Sequence, residues 1–441
     1  MDLGQILPSF GSGLFTLLAF VIALSVVVAI HEYGHYIVGR WTGIHAEVFS
    51  LGMGPVLFTR TDKRGTRWQL AALPLGGYVK FLGDANAASV GTGTQVSEAD
   101  RRRTMAGAPL WARVLTVLAG PVFNFVLAAI IFAALAMTSG RAVDPLTLET
   151  QQDLPAPFVS ELQTGDEIMA IAGLPVDFAN GLIDALPRNP VLPYLIMRDG
   201  KEMTVNGPYV MPPLVSGINP RSAADDAGLR IGDVVTAVDG APVVAFAELV
   251  DVVKAAQGTP LVLDVWRAGE TRQVTLSPRR VDLPKAEGGF ETRWLIGITG
   301  KLFFDERVDR LGLVESLQSG LRQLQFVLTS SLSGLWHMIT GAISSCNLSG
   351  PVGIAQTSGS MASQGGTSFI AFIGMLSAAV GLLNLFPIPI LDGGHLVFHA
   401  YEAITRRKPS DKAFNILMFA GLGLILSFMC FALLNDLVLC P

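Results

Sequence analysis

Three residues in the stretch VVVAIHEYGHYIVGR have the types and spacing for metal chemistry. His31 and His35 lie four apart, so on a helix their imidazoles share one face. Both can then reach one zinc ion at about 2.0–2.1 Å. Glu32 stands beside that face, where the general base for a metal-activated water belongs. The setting sharpens the pattern, because no charged residue occurs between Asp2 and His31. An ionisable group in a lipid-facing helix costs at least about 2.5–3.5 kcal/mol, so its presence there argues for a function. A polar cluster of purely structural use is the competing reading.

A catalytic zinc takes a third protein ligand and keeps a fourth position open. Asp392 lies within the run NLFPIPILDGG and is the first charge after a stretch that is uncharged from Gln323 onward. Pro387 and Pro389 forbid a regular helix before it. Irregular backbone at membrane depth is tolerated only where protein or a cavity satisfies it. Gly393 and Gly394 permit close backbone approach.

The elements that must carry these residues follow from composition. The chain has 441 residues, 50% hydrophobic and 15% charged. Soluble chains average about 25% charged, so much of this one belongs in lipid. A net charge of −5 provides no basic field for nucleic acid. Cys346, Cys430 and Cys440 make neither a disulfide framework nor a cysteine metal cluster. The N-terminal apolar run lacks a basic flank and a small-residue cleavage site, which reads as a retained transmembrane helix rather than a signal peptide.

A bilayer core of about 30 Å needs about 20 helical residues. Four stretches qualify, and they set the layout. Residues 1–39 hold the first transmembrane helix with HEYGH. Residues 40–111 form a cytoplasmic-side loop with a β-hairpin region, and 112–138 the second helix. Residues 366–400 hold the third helix with NLFPIPILDGG, and 401–441 a cytoplasmic loop and the fourth helix. Lys and Arg crowd the 40–113 loop and the segment before the fourth helix, which places those loops inside and both termini outside. Arg101, Arg102 and Arg103 then face lipid head groups. Cys346 and Cys440 share the outer side, where a disulfide between them is open. The first and third helices run the same way, so His31, His35 and Asp392 arrive at one level. A further full span within 323–343 would separate them, so 283–365 is expected to be linker plus an amphipathic membrane-surface helix.

Between the second and third helices lies a β-rich extracytoplasmic segment with an internal repeat. TGDEIMAIAGLPV (164–176) echoes IGDVVTAVDGAPV (231–243), and each copy continues into an RxG turn, IMRDG and VWRAG. The second copy, 213–282, carries VSGINPRSAADDAGL and resembles a bacterial PDZ domain, a module that binds peptides by β-augmentation. The first copy, 139–212, reads as shortened. Val159 precedes its Gly-Asp by 6 residues, against 17 from Val215, and the NPRSAADDAGL portion has no counterpart.

HEYGH, NLFPIPILDGG and the PDZ-like repeat between them resemble the site-2 protease family of intramembrane zinc metalloproteases, nearest its bacterial regulator-of-sigma-E branch. FSLGMGPVLF, LPLGGYVKF, LAGPVFNF and SGPVGIA resemble further segments of that family. The resemblance covers essentially the whole chain. It implies one zinc ion held by His31, His35 and Asp392, Glu32 as the base, and Asn384 in substrate positioning or oxyanion stabilisation. It also implies a multi-pass protein of the bacterial inner membrane, in contact with the lipid bilayer. The substrates would be single-span membrane proteins of the anti-sigma-factor type, or remnant signal peptides, with peptide contacts at the PDZ-like domains. The expected fold is a polytopic α-helical membrane protein of four transmembrane helices, with membrane-associated β-hairpins and a tandem PDZ-like module.

Other residues have plainer readings. Asn124 faces the site or makes an interhelical hydrogen bond. His395 is an interfacial neighbour of Asp392 rather than a ligand, and His45, His337 and His399 are incidental. A membrane-anchored PDZ adaptor with a non-catalytic metal site is the alternative function, and a metal transporter a third. Neither explains why Glu32 accompanies the histidines.

Overall fold

The computed structural model describes residues 13–84, 97, 98, 100–178, 181–285 and 289–439. The first helix, α1 (Gly13–Trp41), continues without a break through HEYGH. It is followed by a long antiparallel hairpin, β1 (Ala46–Thr61) and β2 (Arg67–Phe81). The pairing doubles back on itself. Val48 pairs with both Arg67 and Lys80, and Leu51 with both Leu70 and Gly77, while Phe58 pairs with Leu70. The first half of β1 therefore lies inside this small sheet, and Gly77–Phe81 forms an edge. Met53, Leu57, Phe58 and Leu73 near its tip are exposed. α2 (Leu110–Ser139) follows.

The chain also forms a separate compact unit, residues 136–313 with 340–347. It contains two four-stranded sheets of the same topology. In the first, the order is 174–175, 167–171, 191–198 and 201–208. In the second it is 241–242, 234–238, 261–267 and 270–276. The first sheet is accompanied by the short helix α3 (Leu182–Ala185), the second by α4 (Ala223–Asp226) and α5 (Phe246–Ala256).

The repeated Gly-Asp and RxG motifs meet in a buried ion pair. Arg198 donates to both Asp166 carboxylate oxygens at 2.7 Å and to Glu161 O at 3.1 Å. Arg267 donates to Asp233 at 2.6 and 2.7 Å and to Gly228 O at 2.9 Å. Burial raises the Asp166 carboxyl, but the Arg198 hydrogen bonds outweigh it and hold the group below its usual value. Removing one partner of such a pair leaves the other buried and uncompensated. Arg198→Ala is expected to cost about 3 kcal/mol, the low end for a broken buried pair, because the Gln163 N–H still supports Asp166. Urea unfolding of the 141–309 segment checks this. A depressed carboxyl stabilises above its unfolded pKa and loses that contribution as pH falls through the folded value. The variant should therefore show a flatter acid limb than the wild type.

The first copy is not shortened. Leu148 donates to Asp166 O and Gly165 donates to Leu148 O, as Val215 donates to Asp233 O and Gly232 to Val215 O. Leu148 is therefore the counterpart of Val215, and each stands 17 residues before its Gly-Asp glycine (165 − 148 and 232 − 215). The stretch 152–162 takes the place of 219–229. In the second copy this stretch forms α4, whose N-terminus Ser222 caps by accepting from Asp225 N–H. In the first, Pro155 and Pro157 remove donors and the backbone stays irregular. The sequence anchor at Val159 was misleading because the strand that replaces VSGI reads LETQ.

Residues 298–309, read from sequence as linker, close both copies. Ile298 pairs with Ile218, Phe304 with Gln151, and Val308 with Ala142. The segment 141–309 thus begins and ends at one place.

The remaining helices are α6 (Leu313–Ile339), α7 (Pro351–Ser363), α8 (Gly366–Asn384), α9 (Asp392–Thr405) and α10 (Asp411–Leu434). Among the described residues four helices are long and apolar enough to cross a membrane: Gly13–Trp41, Leu110–Ser139, Gly366–Asn384 and Lys412–Leu439. α6 is not one of them. Its Gly320 sits against Ala129 and Ala133 of α2, while Leu321, Phe326 and Trp336 are exposed. Ala23 and Val27 of α1 pack with Phe372 and Ile373 of α8. The segment after α8 returns to the level of His31, so α1 and α8 run in the same direction and α2 runs against both. Cys346 is disulfide-bonded and Cys430 is free. Cys440 lies outside the described residues.

Candidate metal centre

α1 presents His31 and His35 one turn apart, as their spacing requires. α8 ends at Asn384, and the Pro387–Pro389 segment turns the chain into α9, whose first residue is Asp392. A side chain on Gly393 would strike Phe386 O, and one on Gly394 would strike Ile388 O. The two glycines let this turn fold tightly against the start of α9.

Three donor atoms converge. His31 Nε2 lies 3.2 Å from His35 Nε2 and 3.2 Å from Asp392 Oδ2, and His35 Nε2 lies 3.4 Å from Asp392 Oδ2. A tetrahedral ion with bonds of about 2.0–2.1 Å spaces its ligands about 3.3–3.4 Å apart. The protonation pattern agrees. His35 Nδ1 donates to Thr116 O at 2.8 Å, which leaves Nε2 as a bare acceptor. That acceptor faces a carboxylate and a second imidazole nitrogen, an arrangement a cation resolves. The residues present fit zinc.

α2 crosses directly over the pair, and of its contribution the sequence pointed to Asn124 but not to Thr116 or Gly120. Thr116, Gly120 and Asn124 lie on one stripe of α2. Thr116 orients His35. A methyl group on Gly120 would collide with His35 Nε2 and lie 2.6 Å from its Cε1 and 2.7 Å from His31 Cε1. The Asn124 amide lies 3.3 Å from His31 Nδ1, and its oxygen is otherwise buried without a partner. It is the amide nitrogen that faces His31 as placed; with His31 Nε2 turned to the metal, Nδ1 would carry the proton, and the amide turned over would present its unpartnered Oδ1 to accept it. The two readings of Asn124 thus coincide, for the interhelical hydrogen bond is its contact with the site. The available signal was the small residue in LAGPVFNF, since glycine marks close helix–helix approach.

Glu32 projects toward β2. A Cβ on Gly77 would lie 3.2 Å from its Cγ. His31, Glu32, His35, Asn384 and Asp392 all line one cavity of about 510 Å³. Asn384 donates to Val380 O one turn back at 3.0 Å and keeps its oxygen available. His395, read as an interfacial neighbour of Asp392, and His399, read as incidental, both line the same cavity, as do Arg113 and Lys408. Asp392, His395, His399 and Glu402 share one face of α9. His45 and His337 do not line this cavity.

The sequence profile of peptidase family M50 matches residues 19–428. A relative in Agrobacterium fabrum, provisionally named a zinc metalloprotease, is 35% identical over 423 residues, covering 95% of this chain and 94% of its own length. One from Rhizobium meliloti with the same provisional name is 33% identical and covers 96% of each chain. One from Vibrio cholerae is 30% identical, covering 96% of this chain and 98% of its own. The PDZ domain of an SdrC-like protein from Listeria monocytogenes is 20% identical over 20% of this chain and 84% of its own, at a TM-score of 0.17. At that score it carries no argument about the fold.

Proposed function

This chain belongs to peptidase family M50 and is a zinc metalloprotease, and from that premise we propose that it is an intramembrane endopeptidase. Its substrates would be single-span membrane proteins, cut within or at the edge of their transmembrane helix. The observation that carries this reading is the convergence of His31 and His35 on the apolar helix α1 with Asp392, which starts α9 a few residues beyond the apolar helix α8, while Glu32 lines the same cavity.

His31, His35 and Asp392 would hold the zinc, which when bound would supply a Lewis acid for the scissile carbonyl and for water. Glu32 removes the proton from the attacking water and delivers it to the leaving amine. Thr116 and Asn124 hold the imidazoles in the tautomer that leaves both Nε2 atoms bare. Asn384, on the wall of the same cavity, steadies the substrate carbonyl. A helix hides its carbonyls in hydrogen bonds, so the substrate must unwind before it is cut. The Gly77–Phe81 edge lines the cavity and offers backbone groups to an unwound strand.

The localisation proposed is the bacterial inner membrane, with the 141–309 module, read as tandem PDZ-like, on the outer side. An anti-sigma factor is the substrate type this arrangement suits, and remnant signal peptides are a second. The module would exclude substrates that still carry a large outer domain. Because Ala142 and Val308 are paired neighbours, residues 143–307 can be excised and replaced by a short linker. In liposomes, the wild type should cut a single-span substrate trimmed on the outer side, inside its apolar segment, and ignore an untrimmed one. The excised protein should cut both. Cleavage mapped outside the apolar segment, or persisting under a zinc chelator, defeats the protease reading. Rejection of the untrimmed substrate by a folded, zinc-loaded excised protein defeats the filter alone. An adaptor would cut neither substrate.

A further inference from the structure

We propose that the buried ion pair between Arg113 and Glu402 is the positioning element for Asp392, an inference that rests on the zinc centre described above. The two histidines are held directly by α2, through Thr116 O and the Asn124 amide. Among the described residues, Asp392 Oδ2 has no such hydrogen-bonded anchor. It follows an irregular, proline-containing turn and begins a separate helix, so its place depends on how α9 is oriented.

That orientation is set at the other end of the helix. Arg113 Nη1 and Nη2 each donate to one Glu402 carboxylate oxygen at 2.8 Å, and Nε donates to Ala108 O at 3.2 Å. The guanidinium is 10% exposed and the carboxylate 17%. Three edges of one planar group are thus committed, and a two-point contact resists rotation as a single one cannot. Glu402 lies on the same face of α9 as Asp392, ten residues on. Arg113 lies on the same stripe of α2 as Thr116, Gly120 and Asn124. One face of α2 therefore addresses all three ligands, the histidines at close range and Asp392 through the ion pair. His399 and Lys408 flank the pair, and Lys408 Nζ donates to Ala106 O at 2.9 Å.

Geometry explains why the distant end matters. Ten helical residues span about 15 Å. A 5° swing of α9 about Glu402 would move Asp392 by about 1.3 Å, and metal ligation tolerates only about 0.2 Å. Stability alone is a poor reason for such a pair, since buried ion pairs can often be replaced by apolar residues at little cost.

The test uses the full chain in detergent and measures zinc affinity by competition with a chelator. It also records the visible spectrum of the cobalt-substituted protein and the thermal unfolding of the metal-free form. Arg113→Lys and Glu402→Gln should each weaken zinc binding about 10–100-fold and alter the cobalt spectrum. Should either unfold, the apolar pair Arg113→Met with Glu402→Leu keeps the packing and should show the same loss of affinity. In an Asp392→Ala background, Arg113→Lys should have almost no further effect, because the lost ligand is the one it positions. A folded Arg113→Lys protein that binds zinc like the wild type overturns the proposal. So does an equal loss with and without Asp392. If Asp392→Ala leaves zinc affinity unchanged, the zinc-centre reading falls and this inference falls with it. If Asp392→Ala weakens zinc and the ion-pair variants do not, only this inference falls.

Discussion

Glu32→Gln should keep its zinc and lose its proteolysis. The substitution retains the shape of the side chain, which matters where Gly77 leaves little room beside it. It removes a carboxylate that lines the cavity next to His31 in the chain without belonging to the ligand triangle. General acid–base catalysis contributes about 10²–10⁴-fold. Because a single group serves here as base and then as acid, the loss should lie near 10⁴-fold, about 5.5 kcal/mol of transition-state stabilisation. Metal analysis should give about one zinc per chain for wild type and variant alike, as expected of a site with a full ligand set. Cleavage of a single-span substrate in liposomes provides the rate. A variant that still cuts at a tenth of the wild-type rate would remove Glu32 from the mechanism. A variant without zinc would make it a ligand or a structural support instead.

Gly120→Ala should abolish zinc binding although the position touches neither substrate nor metal. The added methyl would overlap His35 Nε2 and crowd His31 Cε1. Neither ring can yield freely. His35 is tied to Thr116 O on the same helix, and His31 to the Asn124 amide one turn beyond Gly120. Moving α2 outward instead would pull Ala119 away from Gly34, where the two backbones are in contact. The expected result is a folded protein with less than about a tenth of the wild-type zinc, since displacement beyond about 0.2 Å defeats ligation. Gly423→Ala is the matched control. A methyl there meets nothing within 4 Å, and alanine favours the helix, so zinc content should be unchanged. Normal zinc in Gly120→Ala would show that α1 and α2 can separate without loss and that the second helix does not shape the site.

Much of this site could be read before any fold was known. HEYGH announces its chemistry because four-residue spacing stacks two imidazoles on any helix. Asp392 stands out as a lone charge after a long apolar stretch. The Gly-Asp and RxG motifs betray their repeat, and the fold supplies its reason, a buried Asp–Arg pair in each copy.

Other features depend on contacts between segments far apart in the chain. The first copy looked truncated because its equivalent strand, Leu148–Gln151, shares no residue pattern with VSGI. Only the hydrogen bonds from Leu148 to Asp166 and Gly165 reveal the correspondence. Residues 298–309 read as linker because strand pairing with partners as distant as 141–142 leaves no local signature.

By itself the sequence determined which residues can hold a metal and which helices can enter a membrane. Both properties reside in local spacing and in hydropathy, which survive in the unfolded chain. The tertiary structure alone decided that Thr116, Gly120 and Asn124 face the histidines, and that Arg113 reaches Glu402 across 289 residues. A side chain's role there is set by what packs against it, and close packing joins atoms without regard to their separation along the chain.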